Sequence, residues 1–177
     1  MIVVMKKIKF SRIAILVTFI STLSVTNAET LEQRYRLASL PTTSAQEFAR
    51  LARDKSVMVR ERVAANRKTP ARILLALAHD PAQSVKIALA TNLSAPQNIY
   101  DILIHDKNTA VRSVVARYEF VPLFALKVLA RDVDADIRLE VARNLNSDRE
   151  VLQQLIKDQD DRVKAVASLA LERLNNE

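Results

Sequence analysis

Five basic residues recur at an interval of 26 positions: Arg53, His79, His105, Arg131 and Lys157. Each is followed directly by an aspartate, at Asp54, Asp80, Asp106, Asp132 and Asp158. A cation next to a carboxylate at a fixed interval is a pattern for binding or for pairing between structural units. His79 and His105 are the only histidines, one interval apart. Neighbouring helices lie about 8–10 Å apart, wide for a single metal ion, and no third ligand falls in register, so the pair does not read as a zinc site. Two histidines confined to repeating columns offer no serine–histidine–aspartate set. The chain has no cysteine, which excludes disulfides, thiolate metal sites and iron–sulfur ligation, and no glycine, which excludes phosphate-cradling loops. No catalytic residue, cofactor site or metal site is expected, and the reading is a binding protein rather than an enzyme.

The elements that must carry these residues follow from the same interval. Val59, Val85, Val111, Ile137 and Val163 form an apolar column, each followed by a base at Arg60, Lys86, Arg112, Arg138 and Lys164. Val63, Leu89, Val115, Val141 and Ala167 return one helical turn later. Asn66, Asn92 and Asn144 share a column broken by Tyr118, and Pro70, Pro96 and Pro122 share one broken by Asp148. These columns read as helix punctuation. Thr69-Pro70 suggests a capping hydroxyl before a first-turn proline, and Ser147 to Glu150 has the spacing of a capping box. Asp80 is expected to cap a second helix, and the asparagines suit a left-handed helix end where glycine is not used. Each unit is then two helices of about ten residues, such as 70–79 and 81–91, too short to persist alone in water and dependent on stacking.

Glu29 to Leu40 reads as an unpaired first helix, and the last helix runs past the asparagine column to about Asn175. Such atypical ends seal a stacked core. The expected architecture is all-α: about five 26-residue, two-helix repeats over 43–177, preceded by a capping helix and connector at 29–42, with a further capping helix at the C-terminus.

Residues 1–28 read differently. Lys6, Lys7, Lys9 and Arg12 precede an apolar stretch from Ile13 to Leu23, and Thr26-Asn27-Ala28 supplies small residues for cleavage. This is the pattern of a signal peptide and predicts a periplasmic or secreted protein, with an uncleaved N-terminal anchor as the alternative. The formal charge of the whole chain is +7; removing this segment leaves 23 basic against 20 acidic residues, or +3, too mild to indicate nucleic acid.

The stretch from Val63 to Pro81, VAANRKTPARILLALAHDP, resembles the leucine-rich repeat variant motif, a relative of HEAT-like helical repeats. The likeness extends over about 43–174. It implies a right-handed superhelix of short helices, one of which can be 3₁₀, in an ARM-type α-solenoid. The interval of 26 is slightly longer than the family's usual unit, and its cysteine-held cluster has no counterpart here. HEAT-like repeats also tie their units together with aspartate–arginine ladders. The Arg60 column is accordingly expected to reach the aspartate of the neighbouring unit rather than a ligand.

Two features remain for function. The column of Arg53, His79, His105, Arg131 and Lys157 sits where a cation complements the C-terminal end of a helix, and it also forms a basic line able to grip an acidic partner. The third unit replaces the usual asparagine with Tyr118 and places Phe120 and Phe124 around a connector that is polar elsewhere. These aromatics are either a partner-binding anchor or a local repacking. Arg50 to Arg72 carries a local charge of +6 and residues 132–177 a charge of −4. The leading expectation is a scaffold that binds a protein or peptide partner in the cell envelope through its curved face and the Tyr118–Phe124 connector. The alternatives are a polyanion or envelope-surface binder working through the basic N-terminal face, head-to-tail self-association, and a small helical-repeat enzyme or accessory of lyase type.

Overall fold

The computed structural model describes residues 29–176, so the expected signal segment lies outside the described residues. Among those residues the chain is all-α, with no strand. The helices are α1 (Leu31–Ser39), α2 (Ala45–Leu51), α3 (Val57–Ala65), α4 (Ala71–Leu77), α5 (Gln83–Ala90), α6 (Tyr100–Leu103), α7 (Thr109–Arg117), α8 (Leu123–Leu129), α9 (Ala135–Arg143), α10 (Arg149–Leu155) and α11 (Asp161–Asn176). A 3₁₀ turn, Gln97–Ile99, leads into α6. No described helix is long and apolar enough to cross a membrane.

Two kinds of helix alternate. Those starting at Ala45, Ala71, Leu123 and Arg149, with the Gln97 turn, hold the first position of each 26-residue interval; those starting at Val57, Gln83, Thr109, Ala135 and Asp161 hold the second. The second helices form the close-packed row: α1 lies on α3, α3 on α5, α5 on α7, α7 on α9 and α9 on α11. Their apolar columns explain this. Val59, Val63, Val85, Leu89, Val111, Val115, Ile137, Val141, Val163 and Ala167 are all 0% exposed. Apolar residues four apart, β-branched at both positions in α3, α7 and α9, give each helix a narrow stripe that fits its neighbour. The first helices pack into this row through Leu51, Leu74, Leu77, Leu103, Leu126, Leu129, Leu152 and Leu155. At seven residues or fewer beyond α1, they have no independent stability and depend on that burial.

The punctuation works differently from the sequence expectation. The helices of the second interval are 71–77 and 83–90, shorter than 70–79 and 81–91. Thr69 does not cap: its Oγ1 donates to the Val63 carbonyl at 2.7 Å, and Pro70 is the N-cap. Ser147 likewise donates to the Val141 carbonyl at 2.6 Å, while Asp148 caps α10 by accepting from the Val151 N–H. Asp80 is not the cap of α5 either. Ala82 is, and Asp80 Oδ1 accepts from the Ala82 N–H at 2.8 Å, closing an Asx turn just ahead of the helix. Its counterparts at 54, 106, 132 and 158 make the same turn. The asparagines are not left-handed. Asn66 and Asn144 have φ of −78° and −70°, and no non-glycine residue has positive φ among the described residues.

Those asparagines form a ladder instead. Asn92 Nδ2 donates to the Ala64 carbonyl at 2.7 Å, and its Oδ1 accepts from the Ser94 N–H. Asn66 makes the equivalent bond to Ala38, and Asn144 to Ala116. One amide thus satisfies an otherwise unpaired carbonyl at the end of the preceding helix of the row while shaping its own connector.

Candidate binding surface

A second ladder accounts for the charged columns. Arg60 Nε and Nη2 reach the two carboxylate oxygens of Asp80 at 2.7 and 3.0 Å, while Nη1 donates to the Asp54 carbonyl at 2.8 Å. Arg112 holds Asp132 and the Asp106 carbonyl in the same way, and Arg138 holds Asp158 and the Asp132 carbonyl. Lys86 pairs with Asp106, and Arg34 of α1 pairs with Asp54. Every rung joins residues 20 apart. The expectation that the Arg60 column ties neighbouring units together is met at Arg60, Lys86, Arg112 and Arg138, whereas Lys164 pairs with Asp161 of its own helix. Arg34, one interval before Arg60, is a rung the sequence reading passed over.

The rungs are shielded from water, with the side chains of Asp54, Asp80, Asp106, Asp132 and Asp158 between 5% and 8% exposed. Burial alone pushes the Asp80, Asp106 and Asp132 carboxyls upward, but hydrogen bonds from Arg60, Lys86 and Arg112 and from backbone N–H groups outweigh it. The Arg138 hydrogen bond is the largest influence on Asp158 and outweighs burial there. All four are held below the ordinary carboxylate value of 3.8. These acids are consumed by the framework.

The residues directly before them are not. Arg53, His79, His105, Arg131 and Lys157 are all exposed, in the turns that lead from first to second helices. None makes a side-chain hydrogen bond or ion pair among the described residues. Five basic residues therefore line one edge, three of them Arg or Lys and two His, and the aspartates beside them are already paired.

That edge borders two grooves between first helices. One, of about 450 Å³ between α2 and α4, is lined by Ala52, Arg53, Arg72, Ile73, Ala76 and His79. The other, of about 490 Å³ between the end of α6 and α8, is lined by Ile104, His105, Lys107, Val128, Arg131 and Val133. Both volumes lie in the range of ligand pockets, about 300–1,000 Å³. The rims add Arg72 and Lys107, which are exposed and also without side-chain partners among the described residues. Only laddered aspartates contribute acid: Asp80 to the first groove, Asp106 and Asp132 to the second. Each groove is an apolar floor under a positive rim. Other junctions are tighter. The 3₁₀ turn packs on α4, and Gln154 Nε2 crosses from α10 to the Ala130 carbonyl at 3.0 Å.

The aromatic candidates lie at the opposite ends of the helices, in the connectors leading from second to first helices. Tyr118 is half-buried, and its hydroxyl donates to the Thr91 carbonyl at 3.1 Å. The Ala90 carbonyl, which an asparagine at 118 would take, accepts from the Tyr100 hydroxyl at 3.0 Å. Burial pushes the Tyr100 phenol up to about 12. Two tyrosines thus replace one asparagine, which gives Tyr118 a framework role. Phe120 stands edge-on to Tyr118 with centroids 5.8 Å apart and remains 62% exposed. Phe124, in the first turn of α8, is 37% exposed. The connector aromatics and the basic edge do not form a single site. The basic run at Arg50–Arg72 is also divided: Arg50 pairs with Glu47, Arg60 with Asp80, and Arg62 bonds Ser39 and lies 5.7 Å from the Tyr35 ring centroid.

Among the described residues no group of three histidine, cysteine or acidic side chains could hold a metal ion. No protein-family model matches the sequence, and no curated protein matches it. A crystal structure of an engineered protein aligns with 90% of this chain and 96% of its own at 18% identity, with a TM-score of 0.40, a likeness too low to support any conclusion about this chain.

Proposed function

We propose that this chain is an exported, non-catalytic helical-repeat scaffold that binds an acidic segment of a protein partner along its basic edge. In this reading it is a right-handed α-solenoid of about five two-helix units, akin to leucine-rich repeat variant and HEAT-like proteins, with α1 and the extended α11 as caps. Residues 1–28 direct it to the periplasm or beyond. One observation carries the reading: Arg53, His79, His105, Arg131 and Lys157 are exposed, in register and without side-chain partners, beside aspartates that are all paired. Helix-dipole complementarity favours a base at each of these turns, but it leaves the side chain free to meet an incoming carboxylate. Long-range attraction would speed encounter, and short-range pairing would set the register of the bound segment.

The test is fluorescence anisotropy with a labelled 12-residue peptide rich in aspartate and glutamate. The chain binds it, and Arg53→Glu/Arg131→Glu weakens binding at least tenfold, while Phe120→Ser leaves it unchanged. Equal binding by wild type and the charge-reversed variant overturns the proposal. A second reading rests on Phe120, which is 62% exposed although Tyr118 beside it is engaged by the framework. It makes the connector edge a separate protein contact and predicts that Phe120→Ser, not charge reversal, releases the partner.

A further inference from the structure

The five residues of the basic edge do not all carry charge in the same way. Arg53, Arg131 and Lys157 are cations at any pH near neutrality, whereas the second and third positions are His79 and His105. Imidazole gains its proton between about pH 8 and pH 5, where carboxylates, ammonium and guanidinium groups keep a fixed charge. His79 shares its groove with Arg53 in the turn after α2, with Arg72 on α4 and with Asp80. His105 shares its groove with Lys107, Arg112, Arg131, Asp106 and Asp132, and Asp101 lies one turn earlier on α6. The bordering acids Asp80, Asp106 and Asp132 are laddered to Arg60, Lys86 and Arg112. Their carboxyls are held below 3.8 and stay ionised through this range. Both histidines are exposed, and neither has a side-chain partner among the described residues.

We infer that His79 and His105 make binding of the acidic segment pH-dependent, so that the edge holds it more tightly in mildly acidic than in mildly alkaline solution. This rests on the function proposed above. With both imidazoles neutral, the row is interrupted at two consecutive intervals between Arg53 and Arg131. Arg72 and Lys107 on the groove rims then supply the charge there. Protonation fills both places and takes the row from the three fixed cations Arg53, Arg131 and Lys157 to five. The sign follows from linkage. A nearby carboxylate favours the charged imidazole, so the bound segment promotes proton uptake, and lowering the pH strengthens binding by the same factor. The framework does not share this response. Its aspartates Asp80, Asp106, Asp132 and Asp158 take up protons only below about pH 4, so mild acid changes the edge and leaves the ladder intact.

The test measures anisotropy of the labelled aspartate- and glutamate-rich peptide on the full chain at about pH 8 and about pH 5.5, at constant ionic strength. Wild type should bind about fivefold more tightly at the lower pH, the scale of two solvent-exposed ion pairs. His79→Gln/His105→Gln should bind with one affinity at both values. His79→Arg/His105→Arg should also lose the pH dependence, and at the higher pH it should bind more tightly than the glutamine variant. Calorimetric titration near pH 6.5 in two buffers of different ionisation enthalpy should show proton uptake on binding by wild type and none by either variant. Helical circular dichroism at both pH values confirms that each protein is folded. If wild type binds equally at the two values, the pH inference is overturned while the acidic-segment reading stands. If the glutamine variant tightens as much as wild type, the response lies outside these histidines and the inference is again overturned. If the peptide binds at neither pH, both fail.

Discussion

Lys86 pairs with Asp106 at the point where Arg60, Arg112 and Arg138 each hold an aspartate by two nitrogens and a backbone carbonyl by a third. A guanidinium offers a planar fork that serves both partners at once, whereas an ammonium is a point charge on a flexible stem. The second interval is therefore tied to the third by the weakest of the internal rungs. Lys86→Arg should restore the fork and stabilise the protein by about 0.5–1 kcal/mol. Thermal unfolding checks this as a rise of about 1–4 °C in Tm.

Removing a rung should have the opposite effect on a larger scale. Arg112→Ala leaves the Asp132 carboxylate shielded without its cation and the Asp106 carbonyl without its donor. A loss of about 3 kcal/mol is expected, typical of breaking a buried pair from one side. Arg131→Ala, next to the same aspartate but exposed and without a side-chain partner, should change stability by less than about 0.5 kcal/mol. Urea midpoints for the two variants give the comparison directly. Similar losses for both would remove the distinction between the framework column and the binding column.

Acid should dismantle the ladder. Asp80, Asp106, Asp132 and Asp158 all have folded-state values below the ordinary 3.8. The unfolded chain therefore binds more protons than the folded one as pH falls past that value, and stability rises with pH across the window. The contribution is fully present above about pH 5 and is lost as pH drops from about 4 through the folded values. Urea titrations between pH 7 and pH 3 should show a plateau followed by a steep fall. Asp132→Asn should lower the plateau and make the fall shallower.

The asparagine ladder makes a separate prediction. Asn144→Ala deprives the Ala116 carbonyl of a buried donor and the Asn146 N–H of its acceptor, and should destabilise by about 2 kcal/mol. Tyr118→Phe removes a single bond to the exposed Thr91 carbonyl and should cost less than about 1 kcal/mol. Denaturation of the two variants tests whether Tyr118 substitutes for only part of what an asparagine does.

The interval of 26 was legible because apolar and charged residues recur without insertion, and helix starts at Ala45, Ala71, Leu123 and Arg149 keep the same step. Helix ends were less legible. Thr69, Ser147 and the asparagines are residue types that cap helices, but the same hydroxyls and amides bond carbonyls of adjacent helices when packing brings those within reach. For the hydroxyls the choice is set by the path of the connector six residues on, and for the asparagines by contact with the preceding unit. Arg34 was available by stepping back one interval from Arg60. The grooves were not available, because they depend on how successive first helices meet, closed where the 3₁₀ turn packs on α4 and where Gln154 reaches the Ala130 carbonyl. The basic column was visible as a pattern, but its freedom from partners required the paired geometry of Asp54 through Asp158.

If the edge running from Arg53 to Lys157 receives an acidic segment, a bound acidic peptide lies against the turns between first and second helices. The most direct measurement is photo-cross-linking of the acidic peptide to the full chain, with mapping of the linked residues by mass spectrometry. Cross-links are expected in the turns at 52–55, 79–82, 104–108 and 130–134. Cross-links confined to the connectors at 91–96 and 118–122 would contradict it, because that edge carries Tyr118 and Phe120 and none of the five basic residues.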